Sequence, residues 1–372
     1  MASKKNKLNT KKSKLKHKVK YKPKSLININ FKLFTFITFL TAVLLIIASY
    51  AWFSTSLNVR IKFFDLVVST DTGLFISLDG VNFSESVEVS VDSVIRDLRE
   101  TYPNHTNQWA SGGMWPVSTN GIRNSNADKF DIFLGEIRRP RGRNNPEGES
   151  YLNTSRLEEN KSSAANLFVS FDIFLKNVSG SPYPDNLYFN EDTYIDFEED
   201  VDDETRESMS GIMNSLRMGI IKIGSVSSNT DVYTIQNIQC NNSCEMIIYE
   251  PNHLRHSQVS IEKASELGIE LVDGVYFPTY AVIKEGTRLK HMSGQDGTGI
   301  PLDTEHFALQ QTIFEEDLER PIFQIPNGIT KMRVYVWIEG QDVDSLETHS
   351  PGAPIYISIG LEKDLAGYEA YD

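Results

Sequence analysis

The sequence predicts a mostly β protein: an antiparallel β-sandwich preceded by one N-terminal transmembrane helix. Many short segments alternate apolar with polar residues and are separated by turn-forming residues, as in sandwiches. The 20 Phe and 15 Tyr favour strands over helices. Residues 33–53 contain no charged residue, and a helix of that length spans about 30 Å, the thickness of a bilayer's hydrocarbon core.

The lysines before this apolar run set its predicted orientation. Residues 1–32 contain twelve lysines and no acidic residue. Because positively charged flanks stay in the cytoplasm, residues 54–372 are expected outside the cell. The run is expected to be a single-pass anchor in the cell membrane, marked by Leu33, Leu40, Leu45, Tyr50, Trp52 and Phe53. The alternative is cleavage after Ala51, in a small-residue site, which would make the protein secreted.

Charge narrows the range of partners. The formal net charge is −13, and because residues 1–32 carry +12, the remainder carries −25. An acidic exported region argues against binding to nucleic acid. The basic tail is expected to contact acidic lipid headgroups of the bilayer.

Residues 57–69 are the first predicted strand. Unpaired strand edges recruit strands from other chains. We therefore expect this strand to pair within its own domain if the anchor stays. If residues 1–51 are removed, we expect it to pair with another copy of the chain or with another surface protein.

Further elements are predicted along residues 54–372, as one domain or two. A hairpin is expected from residues 75–78 and 86–91 around Asp79-Gly80, and residues 100–128 are expected to be loop. Residues 138–165, which begin with four arginines, are expected to be a flexible, exposed insert. Further strands are predicted at 129–137, 166–178, 216–223, 232–238, 245–249, 275–283, 332–338 and 355–361, and helices at 204–215 and 257–267.

Cys240 and Cys244 are the two cysteines of the chain. Outside the membrane a disulfide is the expected state, and the residues between them, Asn-Asn-Ser, favour the turn that it needs. The alternative is a pair of free thiols.

The acidic stretch 191–204 carries nine carboxylates and suggests a calcium site. Carboxylate oxygens are the ligands that calcium prefers. The D-x-D-x-D-G loop is missing, however, so a solvated acidic surface is the competing interpretation. The calcium candidates are Asp196, Glu198, Glu199, Asp200, Asp202 and Asp203, and no other cofactor is predicted.

No catalytic motif occurs in the sequence. HExxH, GxSxG, the Walker A loop and GxGxxG are all absent. Ser260 and Lys263 match S-x-x-K, but the partner motifs of the serine acyl enzymes are missing. No residue is therefore assigned a catalytic role.

Two short stretches resemble a known group of proteins. Ala51-Trp52-Phe53-Ser54, followed directly by a strand, resembles the export signature of camelysin-like and TasA-type biofilm fibre proteins of Gram-positive bacteria. Residues 333–344, RVYVWIEGQDVD, are similar to a motif of uncharacterised surface proteins that share this export segment. The resemblance implies secretion, a jelly-roll-like sandwich and a role in the matrix or at the surface. Camelysin is described as a metalloprotease, but no zinc motif here corresponds to that activity.

The second stretch predicts a strand that ends in a polar corner. Trp337 and Glu339 should share one face of the strand, and Asp342 and Asp344 should cap backbone N–H groups in the loop that follows. The alternative is a ligand or cation site.

These observations together favour a non-enzymatic surface protein, structural, adhesive or matrix-forming. One alternative is a membrane-anchored extracellular hydrolase whose carboxylates are distant in sequence. The other is a carbohydrate-binding module that uses Trp109, Trp115 or Trp337.

Overall fold

The computed structural model describes residues 63–70, 73–110, 113–123, 129–138, 151–159, 167–197, 201–240, 244–266, 312–340, 342, 344–345 and 354–364. All of them belong to one compact unit, Leu44–Asp372. The predicted anchor and its cleavage site lie outside the described residues, as do residues 57–62, 275–283, Glu198, Glu199 and Asp200. Within the described residues no helix is long and apolar enough to cross a membrane.

Strands make up most of the described elements. In chain order they are β1 (Phe63–Thr70), β2 (Leu74–Ser77), β3 (Ser86–Val89), β4 (Pro116–Arg123), β5 (Phe130–Arg138), β6 (Tyr151–Leu157), β7 (Val169–Asn177), β8 (Asp185–Phe189), β9 (Tyr194–Phe197), β10 (Leu216–Val226), β11 (Glu245–Glu250), β12 (Thr312–Phe314), β13 (Phe323–Ile325), β14 (Gly328–Glu339) and β15 (Pro354–Asp364). The helices are α1 (Leu98–Thr101), α2 (Asp203–Asn214), α3 (Val232–Gln236) and α4 (Gln258–Glu266), with a π-helical turn at Asp92–Arg96 and a 3-10 turn at Glu315–Asp317.

The strands form two sheets. A six-stranded sheet has the order β13-β8-β15-β1-β3, and β9 also pairs with β15. A nine-stranded sheet has the order β12-β11-β10-β14-β4-β5-β6, and β7 pairs with both β14 and β2. Most pairings are antiparallel, but β1 lies parallel to β15, with Phe63 opposite Pro354 and Thr70 opposite Leu361. The mostly β, two-sheet prediction is therefore confirmed.

The core lies between the two sheets because alternate residues of each strand face inward. Ile355, Ile357 and Ile359 of β15 belong to the same buried cluster as Val334 and Val336 of β14. All five side chains have no measurable exposure. The period of two in the sequence thus predicted the inward face of both strands.

Phe130 of β5 packs on residues of β10 and β14, which belong to the same nine-stranded sheet. The Phe130 ring of β5 meets Tyr335 edge-on, with centroids 5.0 Å apart, and lies 6.3 Å from Trp337. A Cβ atom on Gly219 of β10 would come within 2.7 Å of the Phe130 ring, so glycine is needed where β5 crosses β10. Trp337 is almost fully buried in this packing.

Four local predictions differ from the structure. The segments expected to form a hairpin separate, since β2 pairs with β7 and β3 pairs with β1, and only Ile76 bridges to Ser84. Residues 100–128 contain β4, and the expected flexible insert contains β6, which pairs with β5 along its whole length. Residues 232–238 form α3 rather than a strand, because the Asp231 carboxylate accepts from Thr234 N at 3.0 Å and caps the helix.

Candidate functional site

The end of β14 forms a buried corner around Arg217 of β10. The Arg217 guanidinium has no solvent exposure and donates to Glu250 Oε1 at 2.7 Å and to Asp342 Oδ2. It also donates to the carbonyl oxygens of Asn214 and Leu216 at 2.9 and 3.0 Å. One arginine thus joins β10, β11 and the loop after β14.

Asp344 connects the same corner to α4. Its carboxylate contacts His256 Nδ1 at 2.7 Å and accepts from Ser257 N at 2.9 Å. The backbone N–H of Asp344 donates to Asp342 Oδ1 at 2.9 Å. This is the predicted corner in which aspartates accept from backbone N–H groups.

The indole of Trp337 and the carboxylate of Glu339 meet on one face of β14, as the alternation predicted. Trp337 Nε1 donates to Glu339 Oε2 at 3.0 Å, and both residues are buried. Glu339 is therefore held by its own strand.

Electrostatics in the corner are set by burial and close pairing. Burial alone would lower the pKa of Arg217, but Glu250, Asp342 and Glu339 raise it above its ordinary value. Burial raises the pKa of Asp342 even though Arg217 opposes the shift. For His256, burial would lower the pKa, but the hydrogen bond and charge of Asp344 raise it.

The corner is closed to solvent. Arg217, Glu250, Glu339, Asp342 and Asp344 are each at most 2% exposed. No ligand from solvent can reach these carboxylates without local opening. The corner therefore ties strand ends together.

A second buried charge cluster, around Arg333, lies farther along β14. Arg333 Nη1 donates to Asp172 Oδ1 at 2.7 Å, and Arg333 Nη2 contacts Glu159 Oε2 at 2.5 Å. Asp172 Oδ2 also accepts from the Tyr102 hydroxyl at 2.8 Å, and Lys331 Nζ lies 3.4 Å from the same carboxylate oxygen. Burial alone would raise the pKa of Asp172, but Arg333 and Lys331 lower it to about 2.

An open groove has several carboxylates among its lining residues. Its volume is about 680 Å³, and it lies where β8 and β15 end. Tyr188, Asn190 and Lys363 contribute to its wall, together with five carboxylates: Glu191, Asp192, Glu319, Glu362 and Asp364. The groove offers hydrogen-bond acceptors to hydroxyl and ammonium groups.

Gly360 fixes one end of this groove. Its carbonyl oxygen accepts from Asn190 N at 3.1 Å and from Thr193 Oγ1 at 2.8 Å. A Cβ atom on Gly360 would lie 1.7 Å from Asn190 Oδ1, so the turn between β8 and β9 crosses β15 at a residue without a side chain. That crossing holds Glu191 and Asp192 at the groove.

The calcium candidates that the structure describes are not brought together. Asp196 lies on β9 and accepts from Arg206 Nη1 at 3.1 Å, whereas Asp202 and Asp203 are exposed at the start of α2. Across the described residues, no group of three or more acidic, histidine or cysteine side chains is placed to hold a metal ion.

Cys240 and Cys244 form the predicted disulfide, with Cα atoms 5.6 Å apart. The disulfide lies between α3 and β11, and β11 pairs antiparallel with β10.

Four other residues that the sequence singled out are buried or partly buried. Trp337 is buried, and Trp109 and Trp115 are partly buried against apolar clusters. Ser260 of the S-x-x-K match has no exposure, and its hydroxyl lies 2.6 Å from that of Ser257. A buried hydroxyl in this position cannot meet a substrate.

Comparisons with family models, with curated proteins and with solved structures found no match. Function therefore has to be inferred from this chain alone.

Sequence reasoning missed the partner of the β14 motif. Arg217 interrupts the apolar run 216–223, and a charge at such a position signals a buried ion pair. The sequence marks the position but not its partners, because Glu250 and Asp342 follow 33 and 125 residues later.

Proposed function

We propose that this chain is a non-enzymatic bacterial surface protein with a structural, adhesive or matrix-forming role. Residues 33–53 hold it in the membrane, or cleavage after Ala51 releases it. In this proposal the β-sandwich is jelly-roll-like and lies outside the cell.

The position of β1 is the observation that carries the proposal. β1 begins ten residues after the apolar run, at Phe63, yet it is an internal strand between β15 and β3. Displacing β1 would expose the backbone groups of both neighbours. Such edges accept a strand from another chain, so a first strand supplied by the next copy can join molecules in series.

The buried charge clusters support a non-enzymatic role. The carboxylates in contact with Arg217 and Arg333 are sealed inside the fold and satisfied by cations and backbone groups. Their arrangement stabilises strand ends, as expected of a protein whose task is mechanical.

The experiment tests whether removal of residues 1–51 is required for fibre assembly. Purified protein carrying residues 1–51 and protein beginning at Trp52 are compared by electron microscopy and N-terminal sequencing. We expect fibres only from chains that begin at Trp52, since only these have a free first strand. Fibres built from chains that retain residues 1–51 would contradict the proposal.

Carbohydrate binding is a second candidate, favoured by one surface feature. The rings of Tyr194 on β9 and Tyr356 on β15 lie tilted at 30° with centroids 5.7 Å apart, and Tyr194 is 44% exposed. Aromatic faces beside hydrogen-bonding groups suit sugar rings. Tyr194→Ala should weaken binding to a cell-wall polysaccharide, and Tyr233→Ala, at a 72% exposed tyrosine of α3, is the matched control.

A further inference from the structure

Three strands end their inward-facing apolar stripes with a polar residue, and the three residues meet. On β7, Leu175 is followed by Asn177; on β15, Leu361 is followed by Lys363; on β8, Asp185 precedes Leu187. Asn177 is 1% exposed, Asp185 has no exposure, and the Lys363 side chain is 9% exposed. Their position on the core side follows from strand alternation.

The three side chains form a closed triangle. Lys363 Nζ donates to Asn177 Oδ1 at 2.8 Å. Asn177 Nδ2 donates to Asp185 Oδ2 at 2.9 Å, and Lys363 Nζ lies 3.5 Å from the same carboxylate oxygen. Asp185 Oδ1 is buried and has no hydrogen-bond partner among the described residues, so one carboxylate oxygen is available for a proton.

Packing holds the amine against the carboxamide. Lys363 lies opposite Leu187 in the β8–β15 ladder, and Asn177 lies between Leu74 and Gly328. A Cβ atom on Gly73 would lie 3.2 Å from Lys363 Nζ, so the glycine backbone approaches the amine closely. The Asn177 Nδ2 group also reaches the carbonyl oxygen of Ile325 at 3.4 Å.

We propose that Lys363 and Asn177 join in an intramolecular amide bond, with Asp185 as the acid–base. Neutral Lys363 Nζ attacks Cγ of Asn177, and the new C–N bond forms as the bond from Cγ to Nδ2 breaks. Asp185 takes a proton from the amine and delivers one to the leaving nitrogen. Ammonia is released, and no oxidant or further reactant is needed.

The fold provides the close contact and the proton-transferring group that this reaction lacks in water. Free amines and carboxamides do not condense at a useful rate, but held in contact they gain a large effective concentration. A neighbouring carboxyl group that transfers protons lowers the barrier further. Asp185 touches both reacting groups and is therefore the catalytic residue of this step.

The bond would join β7 of the nine-stranded sheet to β15 of the six-stranded sheet. Its two residues are 186 positions apart, so it would close most of the described chain into one covalent loop. This inference is independent of the proposed function, because it concerns only the folded chain.

The test is the mass of the folded, full-length chain after overnight incubation and reduction of its disulfide. We expect a mass about 17 Da below that of the sequence, the mass of one ammonia. Proteolysis should then yield a branched peptide that joins Lys363 to Asn177. A folded chain with its full mass would overturn the proposal. So would the same loss without a branched peptide, which would indicate a cyclised asparagine.

Substitutions of Lys363 and Asp185 test the role of each residue in forming the bond. Lys363→Arg should retain the full mass, and Asp185→Asn should form the bond at least tenfold more slowly or not at all. Lys331→Arg is the matched control: Lys331 is another buried lysine, but its Nζ donates to the Tyr102 hydroxyl and to Gln236 O, so the cross-link should persist. Loss of ammonia in Lys363→Arg, or an unchanged rate in Asp185→Asn, would refute the assignment. If a variant fails to fold, the mass of the unaltered protein still decides.

Discussion

Arg217 and Asp342 are 125 residues apart in the chain and share a hydrogen bond at a site without solvent access. Arg217→Met removes the cation that also binds Glu250 and leaves buried carboxylates without compensation. We expect the free energy of unfolding to fall by about 3–5 kcal/mol, measured by urea denaturation. Arg255→Met is the matched control, because Arg255 pairs with Glu315 at the surface, and it should cost less than about 1 kcal/mol. If both variants lost the same free energy of unfolding, the buried ion pairs of Arg217 would stabilise the protein no more than a surface pair.

The lowered pKa of Asp172 predicts that the folded protein loses stability in acid. Its pKa is lowered to about 2 in the folded protein, from 3.8. A carboxylate whose pKa is lowered by folding stabilises the folded state at pH values above its pKa in the unfolded chain. That stabilisation is lost as the pH falls from about 4 towards 2. The difference in unfolding free energy between the unaltered protein and Asp172→Asn should shrink by about 2 kcal/mol between pH 5 and pH 2.

Urea titrations at several pH values would measure this difference. Asp92→Asn is the control, since the Asp92 side chain is 55% exposed in its pair with Arg96. It should change the free energy of unfolding by less than about 0.5 kcal/mol at every pH. A constant difference for Asp172→Asn across the pH range would contradict the prediction.

The Lys363–Asn177 cross-link predicts a large effect on unfolding. Closing a loop of 186 residues stabilises the folded state by about 5 kcal/mol in the chain-entropy model. Lys363→Arg should therefore lower the denaturation midpoint in guanidinium chloride well below that of the cross-linked protein. Lys222→Arg, at a lysine that pairs with Glu245 near the surface, should leave the midpoint almost unchanged.

The predicted topology can be checked on intact protoplasts. The lysines of residues 1–32 predict that the tail lies inside, so added protease should digest residues 54–372 and spare the tail. Antibodies against the two ends would follow the fragments. Protection of the C-terminal end would show that the orientation is wrong.

The sequence predicted those elements whose pattern is local. The alternation of Ile355, Ile357 and Ile359 predicted β15, and the period of β7 and β14 did the same. It failed at residues 232–238, where the Asp231 cap overrides a β-prone composition. It also failed at β4, whose residues Pro116–Arg123 have weak strand preference and owe their conformation to pairing with β5 and β14.

The buried polar groups show where sequence reasoning stops. Asn177, Asp185 and Lys363 each occupy a readable inward position at a strand end. Which of them meet depends on the order of strands in two sheets, and that order is set by contacts across almost 190 residues. A single sequence carries the side chains but not this pairing.

The parallel pairing of β1 with β15 limits when the six-stranded sheet can form during synthesis. β1 is among the first strands to be synthesised, and Asp364, the end of its central partner, is the last described residue. The six-stranded sheet cannot close until Pro354–Asp364 has been synthesised. β1 can pair with β3 soon after synthesis, but its other edge stays open while some 290 residues follow it, up to the end of β15. An open strand edge of this kind is prone to pair with other chains during synthesis.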